Sequence, residues 1–174
     1  MTEECACPPE AGAATCVATA TLPSVSCPAC QGAGKPVDTL TLKALLAISL
    51  TEVRASDYRF CRTPDCSVVY YSVDSQQRFG EDALRERVFQ KHPSADDVFV
   101  CYCFRHTPRT IKAELATTGR STVVADITAG IQAGQCACDV RNPQGSCCLG
   151  NVRAVLAEPE GSRRWRAEPA TEPS

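Results

Sequence analysis

Apolar positions in the middle of the chain come in short runs, each bounded by turn residues or by cysteine. Leu40, Leu42, Leu45 and Leu46 recur at near-helical spacing and predict a helix over Thr39 to Ala47 with those leucines on its apolar face. Tyr58-Arg59-Phe60 and Val68-Val69-Tyr70-Tyr71 are aromatic and β-branched, which predicts a hairpin. The charged segment Glu81 to Lys91 reads as a helical connector that Pro93 ends. Val98-Phe99-Val100 is a short extended run. After it, Thr107-Pro108 pairs an N-cap residue with proline at the first helical position, Ile111 and Leu115 supply a buried side, and Gly119 closes the helix. Ser121 opens another helix, with Val123, Val124, Ile127 and Ile131 on one side and an end near Gly134. Ser146 is placed to cap a last one carrying Leu149, Val152, Val155 and Leu156.

Outside these runs the periodicity fails. Residues 1–26 are rich in Ala, Thr, Pro and Glu, and residues 158–174 contain Pro159, Pro169, Pro173 and the cluster Arg163-Arg164-Trp165-Arg166, so both read as disordered arms. The folded part is then 27–157, in two halves, 27–96 and 97–157.

Composition changes this picture in one respect. Thirteen cysteines in 174 residues are far above ordinary usage, so the thiols must serve as metal ligands or as disulfides. The start, Met1-Thr2-Glu3-Glu4-Cys5, lacks the basic and apolar regions of a secretory signal, which predicts a cytoplasmic protein, where disulfides are disfavoured. The odd number of cysteines and the close CxC and CC pairs also favour metal. With a net charge of -2 and a pI near 5.7 there is no basic footprint for nucleic acid, and no apolar run is long enough for membrane insertion.

Cys27-Pro28-Ala29-Cys30 and Cys61-Arg62-Thr63-Pro64-Asp65-Cys66 make a CxxC followed, after thirty residues, by a CxxxxC. A tight turn bearing two thiolates presents both sulfurs to one ion, and two such turns complete the tetrahedron that zinc accepts. Four thiolates leave no open position, so the site predicted is structural. Buried free cysteines and a redox-active CxxC are the competing readings, the second weakened by the lack of a βαβ pattern.

The second half holds six thiols: Cys101 and Cys103, then Cys136 and Cys138, then Cys147 and Cys148. A [2Fe-2S] cluster takes four thiolates in two pairs, one pair per iron. Cys101 and Cys103 supply one pair. Two of Cys136, Cys138, Cys147 and Cys148 supply the other, with Cys138 and Cys148 preferred because Cys148 falls in the first turn of the last helix. The helices starting at Thr107-Pro108 and Ser146 would turn positive ends toward an anionic cluster, and Phe99, Tyr102 and Phe104 would shield it. A second zinc and a structural disulfide are the alternatives here. His106 is a candidate cap or sulfur partner, and His92, beside Pro93, reads as a surface loop residue.

The run VCYCFRHT, followed by ITAGIQAGQCACDVRNPQGSCCLGNV, resembles the N-terminal metal domain of CopZ-type copper chaperones, and CPAC, TLKALL and YRFCRTPDCSVVYYS resemble its zinc module. The likeness covers most of 27–156, with both cysteine modules in the family's order. The second half is also similar to bacterioferritin-associated ferredoxin, in which the final cysteines form a CxxC; here Asp139 to Ser146 separate them. The resemblance implies an α+β fold, a small zinc-ribbon-like module of hairpin plus helix followed by a small, mainly helical [2Fe-2S] module. It implies Zn2+, a [2Fe-2S] cluster and Cu(I) as metals, and a copper-transporting ATPase or a redox partner protein as partner. Such chaperones usually continue into a copper domain with an MxCxxC loop, whereas this sequence has only a polar tail after the last helix, and Met1 is its sole methionine. The chain alone is therefore expected to carry copper poorly, with Cys5, Cys7 and Cys16 as an alternative soft-metal arm. No Ser/His/Asp or Cys/His constellation is visible, so the expected function is metal handling coupled to one-electron chemistry and not enzymatic. A ferredoxin-type electron-transfer protein without copper delivery and a zinc-ribbon interaction adaptor are the alternatives.

Overall fold

A computed structural model describes residues 26–157. The arms expected over 1–26 and 158–174, with Cys5, Cys7 and Cys16, lie outside the described residues, Ser26 excepted. Four strands, β1 (Gly34–Val37), β2 (Tyr58–Cys61), β3 (Val68–Ser72) and β4 (Arg78–Gly80), form an antiparallel meander in that order. Phe60 stands opposite both Lys35 and Tyr70, which sets the expected hairpin register and adds a strand on either side. Helix α1 (Thr39–Leu45) is started by Asp38, whose carboxylate accepts from the Leu40 amide at 2.7 Å. It buries Leu42 and Leu45, and Leu46 just beyond it, against Phe60, Val69 and Tyr70. Leu40 does not join the expected apolar face: it is 55% exposed, because only positions three and four apart share one side of the helix.

The segment Glu81 to Lys91 is not a helix. It forms two short 3-10 turns, at Glu81–Ala83 and Phe89–Lys91, joined by irregular chain. Its polar groups are spent on α1 instead: the Arg85 amide donates to Leu45 O and the Arg85 Nε to Leu46 O, both at 2.9 Å. Leu84 and Val88 meanwhile enter the sheet core, and Phe89 packs into the second one. His92 is not a free loop residue either; its Nε2 lies 2.7 Å from a Glu81 carboxylate oxygen.

The second half packs α2 (Pro108–Thr118), α3 (Val123–Gln132) and α5 (Leu149–Ala157) around Ile111, Val123, Ile127, Val152 and Val155. Thr107 and Thr110 close a capping box at the start of α2, and Gly119 ends it at φ 73°. Val98–Val100 is not a strand. Its end enters a tight loop in which the Val100 and Cys101 amides both donate to His106 O, at 2.9 and 3.2 Å. An extra one-turn helix, α4 (Cys138–Arg141), packs against α1, and the buried Tyr70 hydroxyl donates to Pro143 O at 2.6 Å. Among the described residues no helix is long and apolar enough to cross a membrane.

Candidate metal centres

The Cys27–Cys30 turn is a closed loop. Ser26 bridges Ala33 across its base, the Cys27 amide donates to Gly32 O at 2.9 Å, and Gln31 turns the chain with φ 59°. Strand β2 and the turn after it bring Cys61 and Cys66 up beside this loop. All four sulfurs lie within 4.8 Å of one another, with Cys27 Sγ 3.8 Å from Cys66 Sγ and Cys30 Sγ 3.6 Å from Cys61 Sγ. A disulfide would bring sulfurs to about 2.05 Å. Ligands at about 2.3 Å from one ion, at tetrahedral angles, stand about 3.8 Å apart, and the observed spacing is of that size.

Thr63 is a residue that cysteine spacing did not single out. Its Oγ1 lies 3.2 Å from Cys30 Sγ, and that hydroxyl is the main reason the Cys30 thiol is lowered to about 6. Burial pushes Cys66 up to about 12 and raises Cys27. The Lys91 ammonium donates to Thr63 O at 2.7 Å and ties the connector to this turn.

The second group brings three of the six thiols of its half together. Cys103 Sγ lies 3.8 Å from Cys138 Sγ and 4.0 Å from Cys136 Sγ, and the latter two are 3.3 Å apart. Cys101 and Cys148 are buried together in the helical core beside this group. The neighbouring Cys148 thiol is the chief cause lowering Cys138 to about 5 and Cys101 to about 7, and those two drive Cys148 upward. Burial pushes Cys103 up to about 12, although the Ala137 amide donates to its sulfur at 3.4 Å. Cys147 is exposed, and no sulfur contact joins it to this group.

The loop Cys101–His106 repeats the closure of the first knuckle. Cys101 bridges His106, and Arg105, four residues after the first cysteine as Gln31 is, has φ 58°. Neither is glycine, so the left-handed turn had no sequence signal. His106 contributes its main chain to the loop, and no described histidine belongs to either thiol group. Of the expected shields, Phe104 packs into the helical core against Gly130, while the Tyr102 hydroxyl turns to the connector, donating to Arg87 O at 2.7 Å and accepting from the Phe89 amide at 2.9 Å. Ser146 does not cap α5; the helix begins after Cys148, whose carbonyl accepts its first i to i+4 bond, from the Val152 amide at 3.0 Å. The Ser146 carbonyl instead accepts from the buried Asn142 side chain at 2.7 Å, which shapes the loop between Cys138 and Cys148.

Residues 24–85 match a family model described as a zinc binding domain of CopZ type. The solved N-terminal domain of CopZ from Archaeoglobus fulgidus is 31% identical, with a TM-score of 0.62, over 75% of this chain and 97% of that domain. This chain belongs to the CopZ family. The copper chaperone CopZ of Archaeoglobus fulgidus is 33% identical over 142 residues, 82% of this chain, and the match spans 66% of that protein's length. Three quarters of the chain is more than residues 24–85 contain, so the likeness to the CopZ domain runs on into the helical half. Both thiol groups thus lie in chain whose fold is that of CopZ.

Proposed function

We propose that this CopZ-family chain is a copper-chaperone-like metal-handling protein with two resident centres. Cys27, Cys30, Cys61 and Cys66 hold a structural zinc, and Cys101, Cys103, Cys138 and Cys148 hold a [2Fe-2S] cluster. The observation that carries the reading is the pair of converging thiol groups in a chain of this family. At the first group, four sulfurs at tetrahedral spacing leave no position for substrate, and the surrounding core of Val68 and Tyr71 is too small to hold the turns without metal. At the second, Cys138 Sγ lies 3.8 Å from Cys103 Sγ, and Cys101 and Cys148 share the buried core beside them, so four thiols are at hand for the two pairs that two irons need.

A [2Fe-2S] cluster supplies one reversible electron. In a copper-handling protein a bound, reduced cluster would supply the electron that takes Cu(II) to Cu(I), the ion soft thiolates prefer, one cluster being oxidised per copper reduced. The chain's own residues bury Cys101 and Cys148 among Val100, Ile111 and Val152, which keeps bulk water from that side. The partner that follows from this role is a copper-transporting ATPase.

The test is metal analysis with visible and EPR spectra on protein purified without oxygen from iron-replete cells. We expect one zinc, two irons and two sulfides per chain, a red-brown colour, and an EPR signal after one-electron reduction. A colourless protein with two zinc ions would overturn the cluster, and a red protein that binds no Cu(I) against a competing chelator would leave an electron-transfer protein in its place.

A further inference from the structure

The second half carries six thiols where a cluster uses four, and one of the two surplus thiols sits against a proposed ligand pair. Cys147 is exposed and makes no contact with the other sulfurs, whereas Cys136 lies inside the group, half-buried. Its sulfur is 3.3 Å from Cys138 Sγ and 4.0 Å from Cys103 Sγ, distances that bracket the 3.6 and 3.8 Å separations within the first centre. Cys136 and Cys138 flank Ala137, whose amide donates to Cys103 Sγ at 3.4 Å, so one short piece of backbone carries both thiols to the same ligand neighbour. Turning a cysteine by one staggered rotamer moves its sulfur by about 3 Å, nearly the whole separation between the two.

From this geometry we infer that Cys136 is a reserve ligand of the cluster, able to replace Cys138 on the same iron. The inference rests on the cluster reading above. In the exchange the Cys136 thiol gives up its proton, its thiolate forms an Fe–S bond, the Fe–S bond to Cys138 breaks, and Cys138 leaves as a thiolate that takes up a proton. No electron moves, so no oxidant or reductant is required. The iron keeps four sulfur ligands before and after. Cys148 has no such substitute, because its chain neighbour Cys147 points into solvent and not into the group.

The test uses the full chain purified without oxygen, as wild type and as Cys136→Ala, Cys138→Ala, Cys148→Ala and the Cys136→Ala/Cys138→Ala double variant; alanine excludes ligation by a substituted serine. Iron and sulfide content, visible circular dichroism and EPR are read together, with zinc content and far-ultraviolet circular dichroism as the check on folding. We expect Cys136→Ala to match wild type. Cys138→Ala should keep at least half of the iron and sulfide with altered spectra, while Cys148→Ala and the double variant keep less than a tenth. A second readout is alkylation of the loaded protein mapped by peptide mass: in wild type Cys136 and Cys147 are labelled and Cys138 is protected, and in Cys138→Ala the protection passes to Cys136. A folded, zinc-replete Cys138→Ala as empty as the double variant would overturn the reserve role and leave the cluster reading intact, whereas protection of Cys136 with labelling of Cys138 in wild type would overturn both the reserve role and the assignment of Cys138 as the resident ligand. Wild type without iron and sulfide would overturn both.

Discussion

Tyr102 stands between Cys101 and Cys103, and its hydroxyl is the only side-chain group there that grips the connector. It donates to Arg87 O at 2.7 Å and accepts from the Phe89 amide at 2.9 Å, at a site only 5% exposed, where burial holds the phenol well above its usual range. Tyr102→Phe keeps the ring and removes both bonds. Each is worth about 1 kcal/mol net, and orphaning a poorly hydrated carbonyl and amide raises the total to about 2–3 kcal/mol. For the 132 residues described, the unfolding entropy is about 0.28 kcal/mol per kelvin, so the melting temperature should fall by about 9 °C. On the proposed cluster reading, the same change frees the backbone of Cys101 and Cys103, so a chelator should bleach the visible spectrum faster while the zinc content is unchanged. Thermal melts by far-ultraviolet circular dichroism, at matched zinc and iron content, read the first effect, and stopped-flow absorbance with chelator reads the second. A melting temperature within about 1 °C of wild type would show that water replaces both bonds, and would refute the reasoning.

Four further outcomes follow from the same geometry. Cys61→Ser should lose zinc and destabilise the first half, since Cys61 belongs to a small core made largely of the four cysteines; full zinc occupancy in Cys27→Ser/Cys61→Ser would sink that assignment. Thr63→Val removes the hydroxyl beside Cys30 Sγ and should weaken zinc retention about 10-fold or more in competition with a chromophoric chelator, with unchanged affinity as the contrary result. Cys101→Ala should abolish colour and leave zinc in place, and metal analysis that finds both lost would mean the centres fold as one. Gly130→Ala would put a methyl 2.3 Å from the Phe104 ring, costing about 1–3 kcal/mol in urea unfolding; an unshifted midpoint would mean the ring moves freely.

The predicted parts that appear in the structure are those whose cause is local. Thr107-Pro108 starts α2 because a side-chain cap and a proline ring act within one turn, and β2 and β3 pair because aromatic and β-branched runs sit on either side of a short, proline-stiffened turn. The CxxC and CxxxxC spacings likewise put two sulfurs in each turn before any packing is known. Other features depend on what the chain meets after it folds. Glu81 to Lys91 has helical composition, but the free carbonyls at the end of α1 take the Arg85 amide and guanidinium, so it stays a strap. Helix α5 begins just after Cys148 and not at the expected Ser146, because the Asn142 side chain takes the Ser146 carbonyl. Gln31 and Arg105 adopt left-handed turns that only the closed loops around them impose. Spacing along the chain also left four cysteines competing for two places. The sequence by itself determined that thiols would be paired and in which two halves, since that depends on neighbours a few residues apart. Which of Cys136, Cys138, Cys147 and Cys148 face Cys101 and Cys103 was decided only by tertiary structure, because thirty-two residues and two helices intervene and their packing sets the direction of each sulfur.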